Sequence, residues 1–196
     1  MTAALATADA PMREVRADGL RLEPQRVDHA DAMFAVLTDP ALYEFEHEPP
    51  DSVESLRRRF AALEARRSPN GRQAWLHWVV RLDDGVLVGA VQATVEHGGH
   101  AAIAYELGSA WWGRGIGTCA VAAMVNELAA RHGVRHCSAV LKQQNLRSFH
   151  LLRRLRFTHA SPAAHAARGV ERDEWLMERT LPHDPAAAAE RGDRSS

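Results

Sequence analysis

Cysteine is scarce in this chain of 196 residues: Cys119 and Cys137 are the only two. Both fall inside stretches that read as regular structure, which argues against a disulfide framework and favours a cytoplasmic setting. Residues 1–12 lack the basic start and continuous apolar core of a secretory signal. No apolar run approaches the roughly 20 residues that a membrane-spanning helix needs, so no membrane partner is expected. The net charge of −1 gives no electrostatic reason to expect nucleic acid as a partner. Lysine occurs once, as Lys142, and arginine carries the rest of the positive charge. Arginine suits bidentate phosphate contacts, although a plain compositional bias explains the same fact.

What is present is an ordinary globular composition, 46% hydrophobic and 25% charged, enough for one domain with its own core. Residues 1–14 and 183–196 lack periodic apolar faces and read as flexible tails, which leaves 15–182 as the domain. Leu20-Arg21-Leu22 alternates as a first strand. Asp28 is placed to cap a helix carrying Ala32, Met33, Val36 and Leu37, which Pro40 ends. Ser52 opens a second helix, stopped by Pro69-Asn70-Gly71. Residues 75–82, 86–95 and 102–107 read as a three-stranded meander with turns at Asp83-Asp84-Gly85 and His97-Gly98-Gly99. A long helix over 115–132 follows, with Gly133 just past its end. Then come a strand over 135–141, a short helix from the Asn145 cap to Leu155, and two strands near Phe157 and over 174–181. This order predicts a mixed α/β fold. It is a single domain with a central, mostly antiparallel sheet flanked by helices and one parallel crossover.

The most informative segment is Trp111-Trp112-Gly113-Arg114-Gly115-Ile116-Gly117-Thr118, between the third meander strand and the long helix. Glycines at such a junction uncover backbone N–H groups at a helix N-terminus, where the helix dipole adds about half a positive charge. The result is a phosphate pocket. A Rossmann loop needs Gly-x-Gly-x-x-Gly and an acid ending the next strand. This chain has Gly-x-Gly-x-Gly, and its next strand ends in Leu141-Lys142-Gln143-Gln144. A Walker A loop needs a lysine, which the segment lacks.

The glycine loop, followed by a strand and then Asn145-Leu146-Arg147-Ser148 through Leu155-Arg156-Phe157, resembles the GCN5-related N-acetyltransferase (GNAT) superfamily. The likeness is greatest to the branch of ribosomal-protein N-terminal acetyltransferases. It also rests on Gly19-Leu20-Arg21-Leu22-Glu23-Pro24 with Asp28-His29-Ala30-Asp31, on Val88-Gly89, and on Tyr105-Glu106-Leu107, and spans residues 20–181. Three departures stand out. Trp112 sits where the family often has Arg or Gln, Arg156 replaces the usual Gly before Phe157, and Leu152 stands where many members carry the tyrosine that protonates the leaving thiolate.

The resemblance implies acetyl-CoA as cosubstrate and a primary amine as acceptor, either a peptide N-terminus or a small molecule, with no metal. Leu107, Gly108, Trp112, Gly113, Arg114, Gly115, Ile116, Gly117, Thr118, Asn145 and Ser148 become the coenzyme-binding set. The strand over 104–108 would pair with the pantetheine amides, and the Leu107 N–H would face the thioester oxygen. Glu106 is the candidate general base and Ser148 the candidate partner of the leaving sulfur. A solvated or ion-paired Glu106 and an ordinary first-turn Ser148 stay open as alternatives. Arg147 and Arg153 are either contacts to the adenosine 3′-phosphate or plain surface arginines. His77 lines the acceptor cleft or packs in the core, and Cys119 reads as a small packed residue rather than a nucleophile. The loop over 43–50 offers Tyr43, Glu44, Phe45, Glu46, His47 and Glu48 to a cationic acceptor. Neither His97 and His100 nor His132 and His136 have partner ligands at zinc spacing. Two other functions remain: a non-catalytic acyl-CoA-binding or regulatory module, and a protein-interaction domain. A monomer and a homodimer are equally compatible with the sequence.

Overall fold

Three long strands with short glycine turns form the centre of the architecture: β3 (Gln73–Leu82), β4 (Leu87–Glu96) and β5 (His100–Leu107). The turn glycines Gly85, Gly98 and Gly99 all have positive φ, which suits them to reverse the chain. The computed structural model describes residues 10–45 and 48–182. The expected tail residues 1–9 and 183–196, together with Glu46 and His47, lie outside the described residues.

β1 (Val15–Ala17) and β2 (Leu20–Pro24) extend the meander on one side. β6 (His136–Lys142), β7 (Thr158–His159) and β8 (Glu174–Thr180) extend it on the other. Among the described residues this makes one eight-stranded sheet of order β1-β2-β3-β4-β5-β6-β8-β7. All pairs are antiparallel except β5 with β6. The expected mixed α/β domain, with its mostly antiparallel central sheet, is therefore observed.

Helices cover both faces. α3 (Ile116–Arg131) buries Ala120, Val121, Met124, Val125 and Leu128 against Trp78, Val80, Val91 and Ala93. Each large apolar side chain buried there contributes about 1.5–3 kcal/mol. On the opposite face, α1 (Ala30–Leu37) and α2 (Val53–Leu63) pack Met33, Leu37, Leu56 and Phe60 on Val79 and Leu87. α4 (Leu146–Arg154) and α5 (Pro162–Ala167) complete the chain.

Several local expectations change. Asp28 does not cap α1: it sits inside a 3-10 turn, Val27–His29, and the cap residue His29 makes no side-chain cap bond. The His29 ring instead accepts from the Arg26 N–H at 3.1 Å, so the chain enters the helix through a tightened turn. α2 ends at Leu63, well before Pro69, and Arg66 follows with φ 56°. β1 and α5 are additions to the expected elements; three and six residues are too few to register as periodicity. Arg13, within the expected N-terminal tail, makes two hydrogen bonds of 2.9 and 2.8 Å to the buried carboxylate of Glu127. Burying that charge requires such a partner, and the pair ties the segment before β1 to α3.

The turn after α4 keeps the shape that glycine would give it. Arg156 takes φ 63°, a left-handed conformation that strains a side chain-bearing residue. Arg156→Gly is expected to raise stability by about 0.5–1 kcal/mol, the strain relieved being partly offset by the greater chain entropy of glycine when unfolded. Urea denaturation checks this as a higher midpoint at unchanged slope. An unchanged or lower midpoint would mean that the arginine side chain compensates for its backbone.

Candidate active site

The site begins where two neighbouring strands part. β5 and β6 pair only at His100↔His136, Ala101↔Cys137 and Ala102↔Ser138. Beyond that, β5 stays with β4 out to Gly89↔Leu107, while β6 follows β8 out to Lys142↔Glu174. A wedge opens between them, and the C-terminal half of β5 is left with one free edge.

The β4 side of that wedge is held tightly. β4 carries an extra residue where its register with β3 shifts: Val80 faces Gly89 and Arg81 faces Leu87. A Cβ on Gly89 would fall 2.1 Å from the Glu106 carbonyl oxygen, so only glycine permits this approach. The Gly108 N–H donates to the Val88 carbonyl at 3.0 Å. By the antiparallel alternation, Tyr105 and Leu107 then turn their backbone N–H and C=O groups away from β4, into the wedge. The Leu107 carbonyl accepts the Trp112 indole N–H at 2.6 Å, which leaves the Leu107 N–H as the donor facing the gap.

The glycine loop closes the wedge at the N-terminus of α3. A short turn over Ser109–Trp111 precedes it, and the Ser109 N–H donates to the Asp39 carboxylate at 2.7 Å. Gly113 and Gly115 have φ 75° and 81°, and Gly115 is the N-cap of α3 with no side-chain cap bond. The first-turn N–H groups of α3 have no intrahelical acceptor and no capping side chain. Added Cβ atoms at Gly113 and Gly115 would meet nothing within 4 Å, because both positions border open space.

That space is a cavity of about 380 Å³. Of the coenzyme-binding set expected from sequence, Leu107, Trp112, Gly113, Gly115, Gly117, Thr118, Asn145 and Ser148 line it. Gly108, Arg114 and Ile116 do not: Gly108 packs under the Trp111 ring, Arg114 is exposed, and Ile116 packs against the core. Asn145 caps α4, its Oδ1 accepting from the Ser148 N–H at 3.0 Å, and its side chain also borders the cavity. Arg147 stacks over the Trp112 ring at 3.5 Å and pairs with Glu44 at 3.6 Å. Glu44 is thus engaged by an arginine. Arg153 lies over Phe149, outside the lining, and Arg154 borders the cavity instead.

Tyr105 is the residue that the sequence reading passed over. Its hydroxyl lies 2.6 Å from Ser148 Oγ and 3.3 Å from the Ser148 carbonyl oxygen. Burial pushes its phenol up to about 12, against the opposing pull of the Ser148 bond. The signal was present in Tyr105-Glu106-Leu107, but its partner is 43 residues away. Leu152, in the place of the family tyrosine, is completely buried.

Glu106 alternates to the opposite face from Tyr105, towards α1 and α2. It borders both the large cavity and a second, smaller one lined by Gln25, Arg59, His77 and Gln92. His77 shares the lining of that smaller cavity, and burial, with Arg66 and Arg59 nearby, lowers it to about 4, so its ring is neutral. Tyr43 is pushed up by burial and by the neighbouring Glu106 charge. Cys119 donates to the Asp18 carbonyl at 3.5 Å and does not line the cavity. Among the described residues no three His, Cys, Asp or Glu side chains converge as metal ligands, and no helix is long and apolar enough to cross a membrane.

Comparison with known proteins adds an independent observation. A family model described as an acetyltransferase (GNAT) domain matches residues 19–158. Among solved structures, RimJ of Mycobacterium smegmatis in complex with a CoA disulfide is 24% identical, with a TM-score of 0.70 over 92% of this chain and 93% of that one. RimL, a ribosomal L7/L12 alpha-N-protein acetyltransferase in complex with coenzyme A, is 18% identical, with a TM-score of 0.74 over 88% and 100%. The microcin C7 self-immunity acetyltransferase MccE in complex with acetyl-CoA and AMP is 16% identical, with a TM-score of 0.69 over 84% and 93%. At these identities the likeness is one of fold. No curated protein sequence matches the chain.

Proposed function

The chain belongs to the GNAT acetyltransferase family, and from that premise we propose that it transfers the acetyl group of acetyl-CoA directly to a primary amine. The observation that carries this reading is the parted β5 edge. It has a glycine-rich helix N-terminus at one end, Ser148 on one face and Glu106 on the other.

In this reading the first-turn N–H groups of α3 hold the pyrophosphate, with the helix dipole behind them. The free edge of β5 takes the pantetheine as an added strand would be taken. The Leu107 N–H donates to the thioester oxygen as negative charge builds there. The acceptor amine enters from the α1–α2 face. It gives its proton to Glu106, directly or through one water, and its nitrogen attacks the carbonyl carbon. The C–S bond breaks, its electron pair stays on sulfur, and the Ser148 hydroxyl faces that sulfur. Bringing donor and acceptor together from opposite faces makes the reaction a ternary-complex transfer.

A peptide or protein N-terminus is the favoured acceptor class, because RimL, of similar fold, is an alpha-N-protein acetyltransferase. A small-molecule amine is the other. The proposed location is the cytoplasm, where the free thiols of Cys119 and Cys137 are stable. A thiol-release assay against short peptides with different first residues, alongside small amines, is expected to show acetyl-CoA-dependent turnover and an acetylated product. Coenzyme binding without thiol release across the panel would favour a non-catalytic acyl-CoA-binding module. No binding at millimolar coenzyme would overturn both readings.

A further inference from the structure

Leu152 leaves the leaving-group side of the site without the tyrosine that the family resemblance calls for. Its side chain is wholly buried, so that position presents nothing to the cavity. A different tyrosine reaches the same region from another element. Tyr105, on β5, points to the face occupied by α4, lines the large cavity and meets Ser148 there.

The hydrogen-bond arithmetic at Ser148 is restrictive. Its N–H is used by Asn145 Oδ1. Its hydroxyl has one hydrogen and can also accept. The phenol of Tyr105 likewise has one hydrogen, with two acceptors in reach: Ser148 Oγ at 2.6 Å and the Ser148 carbonyl oxygen at 3.3 Å. The nearer is a full-strength hydrogen bond and the farther a weak one. When the phenol donates to Oγ, the Ser148 hydroxyl keeps its own hydrogen free for a third atom in the cavity.

Resting on the acetyltransferase reading, we infer that Tyr105 is a positioning residue that orients the Ser148 O–H towards the departing sulfur. In the step this serves, the amine nitrogen bonds to the carbonyl carbon and the amine proton passes to Glu106. The C–S bond breaks with its pair on sulfur, and the Ser148 O–H hydrogen-bonds the thiolate, which takes a proton from solvent on release while Glu106 returns the amine proton to solvent. Tyr105 keeps its proton throughout. Burial holds its phenol near 12, far above an ordinary thiol, so it supplies direction rather than a transferable proton.

The test uses the full chain with acetyl-CoA and the best amine from the acceptor panel. Tyr105→Phe is expected to lower kcat about tenfold, the cost of one misdirected hydrogen bond. Its KM for acetyl-CoA should stay within about twofold of wild type, because no coenzyme contact of the Tyr105 side chain is invoked and the substitution leaves the β5 backbone unchanged. In a Ser148→Ala background the same substitution should cost nothing further. A difluorotyrosine at position 105 keeps the ring and its packing while making the phenol more acidic. It should bring the alkaline fall of kcat to a lower pH, whereas a purely structural ring would leave the pH profile unmoved. That variant decides the matter even if Tyr105→Phe folds poorly. A Tyr105→Phe enzyme with wild-type kcat, an equal loss in the Ser148→Ala background, or an unmoved pH profile would each overturn the inference and leave the acetyltransferase reading intact. A wild-type chain that releases no thiol would instead strike at that reading.

Discussion

Gly115→Glu is expected to weaken acetyl-CoA binding at least about a hundredfold, to the point that titration calorimetry detects little heat. Two effects combine. Gly115 holds φ 81°, where a side chain-bearing residue costs about 1 kcal/mol. A Cβ there meets no protein atom within 4 Å, so the new carboxylate extends into the space proposed for the pyrophosphate. A negative charge within about 5 Å of a phosphate, at an effective dielectric near 20, adds about 3 kcal/mol of repulsion. About 2.7 kcal/mol already corresponds to a hundredfold loss. Gly115→Ala separates the two effects: it carries the strain without the charge and should lose less than about tenfold. Tight binding by the glutamate variant would mean that the coenzyme does not lie against this helix N-terminus.

Glu106→Gln should lower kcat by about 10²–10³ while the Kd for acetyl-CoA stays near that of the wild type. The amide keeps the size of the carboxylate but cannot accept a proton, and a positioned general base contributes in this range. Glu106 borders the cavity on the α1–α2 face, away from the glycine loop, so coenzyme affinity has no reason to follow. The defect should also shrink as pH rises towards the pKa of the acceptor amine, since solvent then removes the proton that Glu106 would take. Parallel losses in turnover and coenzyme affinity would assign Glu106 a structural role.

Much of this was legible from local signals. The glycine loop, the Asn145 cap and the meander turns each depend on a few adjacent residues with defined backbone preferences, and the structure has the corresponding turns and caps. The Asp28 cap failed because a capping residue alone does not fix the path by which the chain enters a helix. Here the Arg26 N–H and the His29 ring set that path. Glu44, expected to face a cationic acceptor, pairs with Arg147 from a helix about a hundred residues further along the chain. Tyr105 was visible as a residue but not as a partner of Ser148, since nothing local relates β5 to α4.

The sequence by itself determined the elements, the place of the phosphate-binding turn and the family resemblance, because backbone dihedral preference and apolar periodicity act over short spans. Only the tertiary structure decided which edge is open and which groups meet across it. β5 keeps β4 as its partner because Gly89 allows the closest approach, and β6 turns to β8. The wedge between them is a consequence of long-range strand pairing, and so is the meeting of Tyr105, Leu107, Trp112 and Ser148 around one cavity.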